Sequence, residues 1–358
     1  MSDQLRVGGL LPSPAWRRPG VGLAVALLFV VAPRWLGGCA PTAEVSCCWS
    51  DAILSSDFAC GLRTSGELEC WGDTIEEDGQ PTIEAVLDPP EAQLGRLATG
   101  WFDLSVCGAT SDGRLSCWGD DYRLRQETDF AGAVAMPSGA WDELGMSSFH
   151  ACASSDAQGT RCWGRDLSCE APDPRPQCRL FEPRGPRAAV TVGDWMACGR
   201  AVGDGWTCWG AVEAGDPDSG LSSNYRPEQV RAFEAGSWSS ARLGPSGDLC
   251  ALDEAGGVAC FVFETTGYNQ AGSTISEAFG YDGGYVQVGL GVEHVCALDE
   301  SGAIVCVGEG LAARDGRAVY PEEDFEALVV GPQSTCGISD SGILRCWGEG
   351  GSMLVPPP

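Results

Sequence analysis

The sequence of 358 residues contains no lysine: all 22 basic residues are arginine, and they stand against 50 aspartate and glutamate residues. Without lysine, Schiff-base catalysis through a lysine amine is excluded. The formal net charge of −28 argues against nucleic-acid binding, because phosphate contacts require a basic surface. Histidine is almost as scarce, with two residues, which limits the available general bases.

Long apolar runs are also scarce, and the clearest one lies near the N-terminus. Residues 21–32 follow Arg17 and Arg18. The run is shorter than the about 20 residues that cross a bilayer, and it is typical of a secretory signal. Leu36-Gly37-Gly38-Cys39 follows and resembles the lipobox of bacterial lipoproteins, in which the cysteine is acylated.

This resemblance predicts a signal peptide over residues 1–38, lipidation at Cys39 and a tether over residues 39–52. The protein is then expected in the bacterial cell envelope, lipid-anchored on the extracytoplasmic side and at the outer membrane. The alternative is an ordinary cleaved signal, in which Cys39 is incidental.

The 19 cysteines favour an oxidising compartment, because so many thiols are a liability in a reducing cytosol. Seven pairs share the spacing C-x9-C, and the first cysteines of successive pairs are 40 to 52 residues apart. The pairs are Cys60 with Cys70, Cys107 with Cys117, Cys152 with Cys162, Cys198 with Cys208, Cys250 with Cys260, Cys296 with Cys306, and Cys336 with Cys346. Such regular spacing indicates a protein of seven repeats, which we place over residues 53–358.

Each pair frames a sequence that is typical of a β-hairpin. In the first repeat, Ser65-Gly66 supplies the turn between Cys60 and Cys70. Folding the segment about its midpoint places the two cysteines opposite each other, with Cα atoms about 4.5–5.5 Å apart, within the range of a disulfide. Metal binding is the rival, but no C-x-x-C occurs and two histidines cannot complete seven sites. We therefore expect one disulfide per repeat, no metal and no cofactor.

The same alternation predicts how the repeats pack. Leu62 and Leu68 share a strand face with the cysteines, so this apolar face is expected to lie against the next repeat. A short alternating stretch precedes each first cysteine, as at residues 190–192. A further strand fits at residues 82–86. Three to four strands per repeat match a blade of a β-propeller.

Trp-Gly follows the second cysteine in five repeats, while Phe261 and Val307 replace the tryptophan in the fifth and sixth. The whole pattern resembles the regulator of chromosome condensation repeat. The best matches are His294-Val-Cys-Ala-Leu298 with Ser301-Gly302, and Cys70-Trp71-Gly72-Asp73. The resemblance runs from about residue 53 to the C-terminus. It implies an all-β fold, a seven-bladed β-propeller. The paired cysteines are an addition to the family's pattern, and the hairpin geometry places one disulfide within each blade.

Both histidines, His150 and His294, lie two residues before the first cysteine of their repeats. Phe58 and Met196 occupy this position elsewhere, so the fold rather than a reaction sets it. Carboxylates remain as catalytic groups, but acidic runs such as residues 76–78 are typical of solvated loops. An extracellular carboxylate-based enzyme, a glycan hydrolase or lyase, is the alternative function. Calcium is weakly indicated, since no fragment has the D-x-D-x-D-G spacing.

Outside the repeats, Cys169 and Cys178 bracket a proline-rich segment and are expected to form a further disulfide that holds an exposed loop. Arg175 is a lone cation in this loop, and arginine is enriched in binding hot spots, so it is our predicted contact residue. A pinned loop without a partner is the alternative. Cys47 and Cys48 have no assigned partner: they could bond each other, cross-link to another chain, or pair with a cysteine that is assigned above to another bond.

Together these features predict a membrane-anchored extracytoplasmic propeller. Its expected role is a non-enzymatic module that binds a protein or an extracellular ligand. The tryptophans favour this role over glycan hydrolysis, because many of the 13 lie at the repeated Cys-Trp-Gly position and not in the loops of one face.

Overall fold

A computed structural model gives the fold of the chain. The structure describes residues 48–72, 94–101, 105–119, 136–148, 150–164, 187–194, 196–201, 205–210, 233–244, 248–261, 283–308, 317–320 and 324–348. These residues belong to one compact unit, residues 39–358. They form seven separate antiparallel sheets, each built from strands that are consecutive in the chain.

Each sheet is one blade, numbered in chain order. Blade 1 holds β1 (Trp49–Leu54), β2 (Phe58–Arg63) and β3 (Leu68–Gly72); blade 2 holds β4 (Leu94–Thr99), β5 (Ser105–Thr110) and β6 (Leu115–Gly119); blade 3 holds β7 (Glu143–Met146), β8 (His150–Ser155) and β9 (Gly159–Gly164). Blade 4 holds β10 (Arg187–Val192), β11 (Met196–Ala201) and β12 (Trp206–Gly210); blade 5 holds β13 (Trp238–Leu243), β14 (Leu249–Asp253) and β15 (Val258–Phe261). Blade 6 holds β16 (Tyr285–Leu290), β17 (His294–Asp299), β18 (Ile304–Gly308) and β19 (Arg317–Tyr320); blade 7 holds β20 (Phe325–Val330), β21 (Ser334–Ser339) and β22 (Leu344–Gly348).

The predicted seven-bladed β-propeller and its hairpins are therefore confirmed. Blade 6 carries the one four-stranded sheet among the described residues, whereas the other six have three strands. The fourth strand predicted at residues 82–86 lies outside the described residues. The first blade begins at Trp49, before the boundary at Ile53 that the cysteine spacing predicts, because β1 pairs with β2 from Trp49 onward.

All seven predicted disulfides of the C-x9-C pairs are present, and each joins the second strand of a blade to the third at directly opposed positions. In order from blade 1 to blade 7 the bonds are Cys60 to Cys70, Cys107 to Cys117, Cys152 to Cys162, Cys198 to Cys208, Cys250 to Cys260, Cys296 to Cys306, and Cys336 to Cys346.

The bonded cysteines are closer together than the hairpin alone predicts. Their Cα atoms lie 4.0 to 4.1 Å apart in all seven blades. Opposed residues without a covalent link are expected at about 4.5–5.5 Å, so the bonded pairs lie below that range. The opposed leucines Leu62 and Leu68 lie two positions further along the same hairpin, as the alternation predicts.

The cysteine face of each blade packs against the next blade, as expected. Seven hydrophobic clusters occur among the described residues, and each joins two neighbouring blades. Between blades 3 and 4, Cys152 and Cys162 pack against Val190, Ala197 and the indole of Trp209. One blade therefore contributes its disulfide and the next contributes its tryptophan. Burial of these apolar faces stabilises the ring.

The two repeats that lack the tryptophan keep the same packing position. Phe261 lies beside Phe233 and Trp238 in the cluster between blades 4 and 5. Val307 packs against the cluster between blades 5 and 6. The position therefore requires an apolar side chain and accepts several sizes.

The glycine of Trp-Gly is required by the backbone. Gly348 has φ 117° and Gly164 has φ 108°, values that residues with a Cβ rarely adopt. At Gly72 an added Cβ would overlap the carbonyl oxygen of Asp57, in the loop between the first and second strands. The motif thus marks the place where the outer strand ends against its own blade's first loop.

The first strands of the seven blades form a closed ring, in which each contacts the first strand of the next blade. Between blades 7 and 1 the amide N–H of Trp49 donates to the carbonyl oxygen of Gly342 at 2.8 Å. The same bond recurs from the N–H of Trp141 to Gly113 O at 2.9 Å, so the seam at the chain ends uses the ordinary contact between blades. The first strands enclose the central channel of the propeller.

Candidate functional site

The two histidines occupy one structural position. His150 and His294 begin the second strands of their blades and lie opposite the glycine that ends the third strand. Phe58 holds the same register position in blade 1. The equivalence predicted from the sequence is confirmed.

Neither histidine is placed to act on a substrate. Both are 4% exposed. The Nδ1 atom of His150 lies 3.3 Å from Ser147 Oγ, and the Nε2 atom of His294 lies 3.1 Å from Thr335 Oγ1. Burial lowers the pKa of each imidazole to about 4, so both rings are neutral at neutral pH. A neutral histidine can serve as a base, but these two lack access to solvent.

Several predicted site residues lie outside the described residues. They are the lipidation site Cys39, the loop cysteines Cys169 and Cys178, the binding residue Arg175, and Cys47. Cys48 is described and is disulfide-bonded.

A second candidate region is formed by the first strands of the blades. The edge of each first strand that is not paired with the second strand faces the central channel. Edge strands leave backbone N–H groups without a partner in the sheet. In blade 2 the N–H of Leu97 donates to Asp51 Oδ2 of blade 1 at 3.1 Å, and Asp51 Oδ1 accepts from the N–H of Ala52 at 2.9 Å. Burial raises the pKa of Asp51 to about 6, although both hydrogen bonds and the charge of Arg96 oppose the rise.

At two other interfaces between blades, a backbone N–H of a first strand also donates to a side chain of the preceding blade. The N–H of Leu243 donates to Thr191 Oγ1 at 2.8 Å, and the N–H of Leu328 donates to Gln287 Oε1 at 2.7 Å. In each case the acceptor belongs to the first strand of the preceding blade. These polar side chains therefore join blades, and their placement is structural.

Charged side chains project from the same strands. Arg96 in blade 2 donates from Nη1 to Glu143 Oε2 in blade 3 at 2.7 Å. The side chain of Arg96 is 53% exposed and that of Glu143 is 28% exposed, so the pair is solvated. Asp51, Arg96 and Glu143 hold equivalent register positions in three successive blades, two residues before the residue opposite the first cysteine.

Arg242 comes from the far side of the ring, in blade 5, where it lies opposite Cys250. The residues at this position in the other blades are uncharged: Ile53, Ala98, Gly145, Thr191, Gly289 and Val329. Arg242 is exposed to solvent. Its pKa is nevertheless lowered, mainly by burial; the charge of Glu143 raises the pKa, and the smaller effect of the Arg96 charge lowers it. Its register position on β13 places Arg242 on one of the strands that border the central channel.

This cluster was missed from the sequence, although a signal was present. Aligning the first strands of the repeats would place Arg242 at a position that is apolar or small in five of the other six blades and threonine in the sixth. The alignment is obscured because the loop between the first strand and the first cysteine varies in length. A guanidinium holds its proton at all ordinary pH values, so the cluster can bind a ligand but cannot exchange protons through its arginines.

Within the described ranges, no group of three or more His, Cys, Asp or Glu side chains is arranged to hold a metal ion. A search of the same residues for a helix long and apolar enough to cross a membrane finds none.

No family model matches the chain. No curated protein matches its sequence significantly. Solved structures do match. The ectodomain of the receptor kinase CR4 from Physcomitrella patens aligns with a TM-score of 0.57 and 18% identity, over 84% of this chain and 73% of that chain. The CRINKLY WD40 ectodomain of the Arabidopsis thaliana receptor kinase ACR4 aligns with a TM-score of 0.58 and 17% identity, over 84% and 96%.

Human WBSCR16 aligns with a TM-score of 0.53 and 13% identity, over 73% of this chain and 78% of that chain. At these identities the likeness shows the fold alone. It agrees with the repeat propeller built from the strand order and the cluster pattern.

Proposed function

We propose that the chain is a lipid-anchored propeller of the bacterial cell envelope that binds a protein or an extracellular ligand and is not an enzyme. The proposal includes membership of the regulator of chromosome condensation repeat family, acylation at Cys39 and a location at the outer membrane. Two of the structural neighbours are ectodomains of receptor kinases, which supports a binding role outside the cytoplasm.

The observation that carries the proposal is the disulfide in every blade. The cysteine on the second strand is at most 1% exposed in all seven. Each therefore lies in the apolar interface with the next blade, where the bond fastens the hairpin that forms the interface. A fold that places seven disulfides in its core belongs in an oxidising, extracytoplasmic compartment.

The non-enzymatic assignment is supported by the burial and bonding of the side-chain types that usually act in catalysis. Both histidines are buried at a position that also accepts phenylalanine, and the described cysteines are bonded. Of the charged channel residues, two are arginines, which do not transfer protons. This leaves recognition by shape and charge as the function that the described side chains support best.

Lipid anchoring is tested by Cys39→Ser. The variant is expected to leave the membrane fraction while its propeller stays folded, since Cys39 precedes the first strand. The measurement is membrane fractionation combined with the thermal unfolding temperature of the released protein. A folded variant that remains with membranes would show that Cys39 is not the anchor.

The binding role is tested with Arg175→Ala. A partner captured by cross-linking on intact cells is expected to bind the variant at least about tenfold more weakly, as for the loss of a hot-spot arginine. Arg114→Ala is the matched control, because Arg114 is an exposed arginine that pairs with Asp112 on another loop. Unchanged affinity of Arg175→Ala would refute that contact. Turnover of a glycan that is lost in a folded His150→Phe or His294→Phe protein would favour the enzyme instead.

A further inference from the structure

The two histidines of the chain lie in two different interfaces between blades. The Nε2 atom of His294 lies 3.1 Å from Oγ1 of Thr335, on the second strand of blade 7. His150 lies two residues before Cys152 on β8, so both side chains leave the same face of the strand. That face packs against blade 4, because Cys152 belongs to the cluster that contains Val190. The two interfaces divide the ring into an arc of blades 4, 5 and 6 and an arc of blades 7, 1, 2 and 3.

A positive charge on His294 would have no partner among the described residues of its interface. His294 and Thr335 are both buried, and the cluster between blades 6 and 7 is apolar. Val330 and Ser334, at the same end of blade 7, do not titrate. Glu293, the residue before His294, is exposed to solvent. A proton on this imidazole therefore favours a state in which the interface is open and the ring is hydrated.

The interface of His150 contains one acid from the facing blade. Asp194, in the loop after β10, accepts a hydrogen bond from the backbone N–H of Ser148 at 2.9 Å. Within the described part of the chain it makes no hydrogen bond with His150, whose Nδ1 atom lies 3.3 Å from Ser147 Oγ. Burial raises the pKa of Asp194, so this acid also takes up a proton as the pH falls. The interface between blades 6 and 7 therefore gives the cleaner test of a histidine.

We propose that mild acid opens the ring at two interfaces, between blades 3 and 4 and between blades 6 and 7, by protonation of His150 and His294. The inference depends neither on the binding role nor on the lipid anchor. In the other five blades the equivalent position has no histidine, and its residues are Phe58, Ser105, Met196, Asp248 and Ser334.

The direction and size of the effect follow from the state of each imidazole. In the closed ring burial holds its pKa at about 4, whereas an exposed imidazole has a pKa of 6.5. The closed state is therefore most favoured above pH 6.5 and loses this advantage as the pH falls toward 4. Between about pH 7 and about pH 5, the opening equilibrium of each interface is expected to rise about 20-fold.

The test is hydrogen exchange resolved to single amides, on the folded and oxidised mature protein, with rates corrected for the pH dependence of intrinsic exchange. The reporters are amides whose hydrogen bonds cross an interface. Between blades 6 and 7 the N–H of Val292 donates to Pro332 O at 2.9 Å, and the N–H of Phe325 donates to Gly302 O at 2.9 Å. Both amides are expected to lose protection about 20-fold between about pH 7 and about pH 5.

Interfaces without a histidine supply the controls. The N–H of Leu243 donates to Thr191 Oγ1 between blades 4 and 5 at 2.8 Å. The N–H of Trp141 donates to Gly113 O between blades 2 and 3 at 2.9 Å. The protection of these two amides is expected to stay constant over the same pH range.

Two kinds of variant assign the response to the imidazole. His294→Phe should abolish the acid response between blades 6 and 7 and leave the response between blades 3 and 4 intact. His294→Met serves the same purpose if phenylalanine does not fit, because Met196 occupies this position in blade 4. Met196→His is expected to transfer the response, so that the N–H of Leu243 loses protection in acid.

Acid-dependent exchange that is confined to the histidine interfaces and disappears in the matching variant supports the proposal. Equal loss of protection at the control amides would show global unfolding and overturn it. Unchanged protection of Val292 and Phe325, or a response that persists in both His294 variants, would also overturn it. If the response of the Ser148 N–H persists in His150→Phe, Asp194 is its cause and the assignment between blades 3 and 4 is wrong.

Discussion

The buried histidines should make the propeller sensitive to mild acid. Burial lowers the pKa of His150 and of His294 from 6.5 to about 4. In the unfolded chain both rings take up a proton near pH 6.5, whereas in the folded protein they stay neutral until about pH 4. The stability due to this difference is complete above the unfolded pKa and is lost as the pH falls toward the folded value.

The size of the effect follows from the two pKa values. Between about pH 8 and about pH 5, each histidine costs the folded state roughly 2 kcal/mol, and the two together cost roughly 4 kcal/mol. Replacement of both by phenylalanine removes this loss. Phe58 already occupies the equivalent position in blade 1, where it is fully buried.

The assay is urea unfolding of the oxidised protein, followed by tryptophan fluorescence over this pH range. The quantity compared is the change in unfolding free energy with pH, so a uniform cost of fitting phenylalanine cancels. Asp51 and Asp194 have pKa values raised by burial and act in the opposite sense, but equally in wild type and variant. Met196→Phe, at the same position of blade 4, is the control and should keep the acid sensitivity. A double variant that loses stability with acid as steeply as the wild type would refute the reasoning.

Two other predictions concern the disulfides and the hydrogen bonds between blades. Replacing Cys296 and Cys306 together by alanine should lower the unfolding free energy by roughly 2–3 kcal/mol, because the reduced unfolded chain gains loop entropy. Urea unfolding measures this change. An unchanged unfolding free energy, or peptide mapping that finds this pair unlinked in the wild type, would contradict the disulfide assignment. Thr191→Val removes the acceptor of the Leu243 N–H at nearly constant volume and should cost about 1–3 kcal/mol in the same assay. Thr191→Ser retains the hydroxyl and should cost less, and equal losses in the two variants would show that the hydrogen bond contributes nothing.

Much of the fold could be predicted because its main features are local. Opposed cysteines ten residues apart, with a turn glycine between them, fix the hairpin, the register and the face that is buried. The substitution of Phe261 and Val307 for tryptophan did not disturb the prediction, since the interface requires apolar volume more than a particular ring.

The ion pair between Arg96 and Glu143 could not be predicted in the same way. Arg96 and Glu143 come from two blades, and their contact depends on how the blades pack in the ring, which no local spacing records. The start of the first blade at Trp49 was missed for a related reason: its N–H pairs with Gly342 at the far end of the chain. Local sequence patterns thus predict the individual blades well. They predict poorly which residues of different blades come into contact when the ring closes.

The pairing of the cysteines also bears on how the protein is made. In each of the seven blades the residue numbers of the two bonded cysteines differ by ten, and no other cysteine lies between them. A chain that emerges through a membrane and is oxidised from its N-terminus meets each of these partners as the next thiol within reach, and short loops close at low entropic cost. Pairing of each cysteine with the next one along the chain would therefore give the native bonds within the blades.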